Sequence, residues 1–163
     1  MTIKKLLTLL LIAVFAVPAA ARQLTVGKNA AIKNITQALA IAAPYDTIIV
    51  QPGVYHEHNL VIDKPITLLG KDMPVIDGEH KYENISVKAD DVVIKGFKVC
   101  NSGISSITDY AGIKICNRHN ITIEGNYLEN CFFGIYSQYG IRCTIRNNTL
   151  KASQKEEQRS GNG

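Results

Sequence analysis

A 22-residue repeat in the second half of the chain restricts its fold more than any other feature. Gly112-Ile113 opens a run that continues to Ile121-Thr122-Ile123-Glu124-Gly125-Asn126-Tyr127-Leu128. Gly134-Ile135 opens a second run, through Cys143-Thr144-Ile145-Arg146-Asn147-Asn148-Thr149-Leu150. Ile113 matches Ile135, Thr122 matches Thr144, Ile123 matches Ile145, Asn126 matches Asn148 and Leu128 matches Leu150. A period of this length, with short β-branched pieces and Gly or Asn at the joints, is the pattern of a solenoid. A single unit cannot bury its apolar face alone and must stack on its neighbour.

The pattern extends upstream. Val92-Val93-Ile94-Lys95-Gly96-Phe97-Lys98-Val99 matches Ile121 to Leu128 when Ile94 lies under Ile123. The longer offset there implies about seven inserted residues, which the segment Asn101 to Ala111 supplies as a loop on one side. Earlier still, Thr47-Ile48-Ile49-Val50, Leu60-Val61-Ile62, Ile66-Thr67-Leu68-Leu69 and Ile85-Ser86-Val87 are short β-branched runs. Pro52-Gly53, Lys64-Pro65, Asp77-Gly78 and Asp90-Asp91 separate them with turn chemistry, so the chain is expected to be all-β. Equivalent residues recur in one direction along the chain, which favours a right-handed parallel β-helix over a sandwich of antiparallel hairpins. A leucine-rich repeat is the rival solenoid, but its regular Leu/Asn signature is missing. The expected helix stacks Ile94, Ile123 and Ile145 in one inward column and Asn126 on Asn148 in the turn. It also sets Lys95, Glu124 and Arg146 in an outward column of alternating charge.

The two ends read differently from the middle. Residues 1–21 carry Lys4-Lys5, an apolar stretch from Leu6 to Val17 and Ala19-Ala20-Ala21, the layout of a secretory signal peptide cleaved before Arg22. The apolar stretch is too short for a membrane span. Residues 22–45 are expected to form an N-terminal strand and a short capping α-helix. Ile32, Ile35, Leu39 and Ala42 recur at helical spacing before Pro44, and such a cap covers the first open rung. Residues 46–150 hold the rungs. Residues 151–163 read as a polar loop, and the chain is expected to be the N-terminal piece of a longer solenoid.

The formal charge of +4 falls to +2 without Lys4 and Lys5. No basic run interleaves with aromatics, which argues against a nucleic-acid partner. Four cysteines in an exported chain raise the question of disulfides. Cys131 and Cys143 fit as small apolar fillers of the core. A Cys100–Cys131 bridge and free thiols are both compatible with adjacent rungs about 4.8 Å apart, and the state of Cys116 is open as well.

Several segments resemble the NosD family, the periplasmic maturation proteins of nitrous oxide reductase, within the wider class of carbohydrate-binding and sugar-hydrolase β-helix repeats. Asp46-Thr47-Ile48-Ile49-Val50, Pro52-Gly53-Val54-Tyr55, Ile62 to Gly70 and Val75-Ile76-Asp77-Gly78 are shared with many pectin-lyase-like solenoids. Gly96-Phe97, Ala111-Gly112-Ile113, Leu128 to Tyr136 and Ser160-Gly161-Asn162-Gly163 are more specific to this family and come in its order. Tyr45 departs from the family's pattern, which places Gly before the Asp. The resemblance implies a non-enzymatic, exported accessory protein. Such a protein works with an ABC-type ATPase and its membrane subunit to assemble the copper centre of nitrous oxide reductase.

Copper takes His, Met or Cys ligands. His56 and His58 form an H-x-H pair. On a strand, such positions share a face at about 6.5–7 Å between Cα atoms, so this pair is the candidate metal site. Met73, His80 and His119 are scattered. The alternative is an exported polysaccharide lyase or hydrolase, or a sugar-binding β-helix on which Tyr110, Tyr136 and Tyr139 stack against sugar rings. Against the enzymes, the column Lys95, Glu124, Arg146 is not acidic, and glycosidases need two carboxylates at a set separation. Asp90-Asp91 sits where turns favour Asp for backbone reasons.

Overall fold

The computed structural model describes residues 21–105 and 107–152. The expected leader therefore lies outside the described residues up to Ala20, and the expected polar loop lies outside them beyond Ala152. The fold opens with β1 (Gln23–Val26) and α1 (Ile35–Ile41). It continues through β2 (Thr47–Val50), β3 (Val54–Tyr55), β4 (Leu60–Ile62), β5 (Thr67–Gly70), β6 (Val75–Asp77), β7 (Ile85–Val87) and β8 (Val93–Lys95). The remaining strands are β9 (Lys98–Cys100), β10 (Ala111–Cys116), β11 (Thr122–Glu124), β12 (Tyr127–Glu129), β13 (Phe133–Gln138), β14 (Thr144–Arg146) and β15 (Thr149–Lys151).

These strands form three parallel sheets that the chain visits in rotation. The six-stranded sheet runs β1-β2-β5-β8-β11-β14, the five-stranded sheet β15-β12-β9-β6-β3 and the four-stranded sheet β13-β10-β7-β4. The result is a parallel β-solenoid of about six turns. Its register is the one the repeat requires, with Ile123 beside Ile94 on one side and Ile145 on the other. That column continues down through Leu68 and Ile48 to Leu24. Two further inward columns, Tyr55-Ile76-Val99-Leu128-Leu150 and Leu60-Ile85-Ile113-Ile135, face it from the other sheets. Ile48, Leu68, Ile94 and Ile123 are fully buried, each contributing about 1.5–3 kcal/mol.

The turns stack as regularly as the strands. Gly96, Gly125 and Asn147 occupy one column, all with φ between 55° and 78°. This is the left-handed region that Gly and Asn tolerate best. Directly after that column, Asn126 ties three rungs together. Its Oδ1 accepts the Phe97 N–H at 3.0 Å, and its Nδ2 donates to Ile94 O at 3.2 Å and to Asn148 Oδ1 at 3.0 Å. Asn148 repeats the pattern one rung on, donating to Ile123 O at 2.9 Å. Outside the solenoid, Glu124 is held by Lys95 and Arg146, each at 3.2 Å. Between β9 and β10, the described residues 101–105 and 107–110 carry no strand or helix, in keeping with the expected side loop.

The helix is shorter than the apolar spacing suggests. Ile32 is not part of it and instead bridges to Val26 in parallel. Asn34 caps α1 by accepting the Gln37 N–H at 2.7 Å. The helix buries Ile35, Ala38 and Leu39. Lys64 Nζ donates to the Leu39 and Ala40 carbonyls at 3.0 and 3.2 Å, satisfying its C-terminal end. No helix among the described residues is long and apolar enough to cross a membrane.

Candidate functional site

The strand on which the H-x-H pair was expected stops one residue short. β3 ends at Tyr55, so His56, Glu57 and His58 lie on an irregular link to β4. Each of the three side chains turns to a different neighbour. Glu57 reaches α1, where its carboxylate accepts the N–H groups of Ile35 and Thr36 at 2.8 Å each and the Thr36 hydroxyl at 2.6 Å. A carboxylate at a helix N-terminus satisfies donors that have no partner within the helix. Glu57 is therefore a cap, a role its place between two histidines gave no sign of.

His56 follows the last paired residue of β3, beside Asp77 on the next rung. Its ring is 60 % exposed. Its Nδ1 faces Asp77 Oδ2 at 3.7 Å and Glu79 Oε1 at 3.8 Å. Burial pulls the Asp77 carboxyl upward. Hydrogen bonds from the Asn101 side chain and the Glu79 main chain, with His56 and His80 nearby, outweigh it and hold Asp77 below the usual carboxylate range. The Lys81 ammonium, 2.8 Å from Glu79 Oε2, holds Glu79 below its ordinary value too. Both acids are thus charged near neutral pH, facing the exposed His56 ring. The rung offset from Tyr55 to Ile76 carries this pairing in the sequence, because it places His56 beside Asp77.

His58 sits elsewhere. Its ring packs against Tyr82 with centroids 5.2 Å apart, and its Nδ1 is buried without a hydrogen-bond partner. His119 is backed by Asp90, whose Oδ1 accepts the His119 N–H at 2.8 Å and whose Oδ2 lies 3.3 Å from Nδ1. His80 and Met73 are exposed turn residues with left-handed backbone.

All four cysteines are free. Cys100 lies beside Glu129, while Cys131 is two residues further along its own rung, so no Cys100–Cys131 bridge forms. Burial pushes the Cys131 thiol up to about 11, and burial together with Asp77 raises Cys100. Cys131 is core filler, as expected. Cys143 is only partly buried against that core.

Every histidine and cysteine of the chain lies among the described residues. No group of three or more His, Cys, Asp or Glu side chains among these residues is arranged to hold a metal ion. The donor set therefore fits copper only in part: accessible imidazoles are present singly, and the most buried thiols are held protonated.

The surface features relevant to sugars are also dispersed. Burial raises the Tyr136 hydroxyl, with Asp109 adding to the shift, and its ring lies under Lys114 Nζ at 5.6 Å. Tyr110 meets Tyr82 edge-on at 6.2 Å. Tyr139 stands exposed in a turn. The outward column of the six-stranded sheet is the charge-paired Lys95-Glu124-Arg146 rather than an acidic cluster.

A family model described as "Periplasmic copper-binding protein (NosD)" matches residues 40–162, from the end of α1 through every later turn. No curated protein and no solved structure matches the chain.

Proposed function

The chain belongs to the NosD family, and from that membership we propose that it is a periplasmic accessory protein in copper-centre assembly of nitrous oxide reductase. In this reading it works beside an ABC-type ATPase and its membrane subunit, and copper is cargo rather than a resident cofactor. The observation that carries the reading is the family match over most of the solenoid. The role asks no catalytic chemistry of this chain.

His56 and His58 remain the candidate copper ligands, with His56 the stronger. The Nδ1 edge of His56 faces Asp77 and Glu79, which leaves Nε2 for an incoming ion. At 3.7 and 3.8 Å the two carboxylates make no direct hydrogen bond to the ring, but their negative charge favours a cation beside it. One imidazole leaves a copper shell incomplete. The remaining ligands then come from the protein that delivers or receives the metal. Such open coordination suits a hand-off.

Two experiments test the reading. In cells that make nitrous oxide reductase, deleting this gene is expected to leave the reductase polypeptide present but short of copper. A reductase with its full copper complement in the deletion strain sinks the proposed role. Separately, titrating the protein with Cu(II) is expected to show weak binding that His56→Ala abolishes and His58→Ala reduces less. Equal affinity in all three proteins removes the pair from consideration without touching the accessory role.

A further inference from the structure

Asp46, immediately before β2, is a carboxylate with 1 % exposure. Its Oδ1 accepts the main-chain N–H of Arg22 at 2.8 Å. Its Oδ2 accepts Arg22 Nε at 3.2 Å, Arg22 Nη2 at 2.8 Å and the Ala43 N–H at 2.8 Å. The main-chain nitrogen of Arg22 takes no part in the β1–β2 ladder, whose register starts at Gln23 beside Thr47. The carbonyl of the same residue is committed, accepting the Thr47 N–H at 2.9 Å. A buried carboxylate is thus aimed at one main-chain nitrogen, and that nitrogen follows Ala19-Ala20-Ala21, where the leader pattern ends.

We propose that Arg22 is the first residue of the exported chain and that Asp46 is a built receptor for the α-ammonium created by leader removal. A signal peptidase supplies the cut and water is the co-reactant. The Ala21–Arg22 peptide bond breaks, the hydroxyl of water goes to the Ala21 carbonyl, and the nitrogen of Arg22 leaves as an amine that takes up a proton. Before cleavage this nitrogen offers Asp46 one uncharged donor. Afterwards it offers three donors and a unit positive charge at the same place. Hydrogen bonds between ionised partners are shorter and about twice as strong as neutral ones.

The site is prepared for that charge. The Arg22 guanidinium, then the Ala43 and Arg22 main-chain donors, hold the Asp46 carboxyl at about 2, so carboxylate and ammonium are charged together from just above that value up to the range where the amine loses its proton. The guanidinium and the ammonium do not compete, because they use different oxygens. Processing therefore tightens the first turn, where the strand lies against α1 and β2. The folded state gains stability only once the leader has gone.

The test compares two chains released from a cleavable fusion, one beginning at Arg22 and one at Ala21, each with and without Asp46→Asn. The Arg22 form is expected to unfold at a higher urea midpoint than the Ala21 form. That difference is expected to vanish in the Asp46→Asn pair. The Arg22 α-amine is expected to titrate at least about half a unit above the ordinary 7.7–8.0 of such groups. Mass measurement of the protein exported with its own leader is expected to give a chain starting at Arg22. Equal midpoints for the two starts, an amine in the ordinary range, or a mature chain starting elsewhere would each overturn the proposal. Should Asp46→Asn fail to fold, the unsubstituted pair and the amine titration still decide it.

Discussion

Tyr45 has a φ of 68°, in the left-handed region where glycine is the residue of least strain. A side chain in the left-handed region costs roughly 1–2 kcal/mol. Tyr45 regains little of this by burial, because it is 67 % exposed. Tyr45→Gly is expected to stabilise the protein by about 0.5–1 kcal/mol, the strain relieved less the extra freedom glycine has when unfolded. Urea denaturation measures it, and an unchanged or lower midpoint would show that the tyrosine makes contacts worth the strain. Asn126 is the opposite case, a side chain whose every polar atom is used. Asn126→Ala strands the Phe97 N–H and removes the donors to Ile94 O and Asn148. Each buried group left without a partner costs about 1–3 kcal/mol, so the expected loss is about 2–4 kcal/mol. A loss below about 1 kcal/mol would mean that water replaces the amide.

At the scale of elements, the strands were legible because their residues recur, and the helix only in part because it does not. Ile94, Ile123 and Ile145 share a rung offset with their neighbours, and the register follows from that alone. Ile32 has helical spacing to Ile35 but belongs to a bridge with Val26, since pairing with a strand and packing in a helix place the same demand on an isoleucine. The site was less legible for a related reason. His56 and His58 have strand spacing, yet β3 ends at Tyr55, and no local signal marks where a two-residue strand stops. Glu57 was invisible because the donors it caps lie more than twenty positions earlier, at Ile35 and Thr36. Its role gives a direct prediction for α1, which has no acidic residue in its own first turn. Glu57→Ala is expected to cost about 1–2 kcal/mol, as loss of a cap does, and to speed amide exchange across residues 35–39. Unchanged exchange there would show that Asn34 suffices.

Across the whole molecule, each rung gives its neighbour an apolar floor and a set of paired charges, so the response to pH belongs to the stack rather than to one group. Asp46, Asp77, Glu79, Asp90, Glu124 and Glu129 all lie below their ordinary values, most of them through cations or N–H donors on an adjacent rung. Glu129, for instance, is held between Lys98 at 2.8 Å and Lys151 at 3.0 Å. With the folded value below the unfolded one, the unfolded chain takes up protons first as the pH falls. The stabilisation these groups give is complete above about 4.5 and drains as the pH drops, with Asp46 the last to titrate at about 2. The alkaline side has the reverse sign. Cys131 is raised to about 11 by burial, so its neutral thiol favours the folded state fully below the ordinary thiol range, and that contribution is lost as the pH climbs through about 11. Urea midpoints measured in reductant from pH 2 to 11 are therefore expected to form a plateau near neutrality, with a steep acid limb and a shallower alkaline one. Added salt is expected to flatten the acid limb, because the glutamate pairs are exposed enough to be screened, while Asp46, buried against Arg22 and the Ala43 main chain, keeps its share. An acid limb that begins only below pH 3, or one indifferent to salt, would mean that the rung-to-rung charge pairs contribute nothing and that the apolar columns alone hold the stack together.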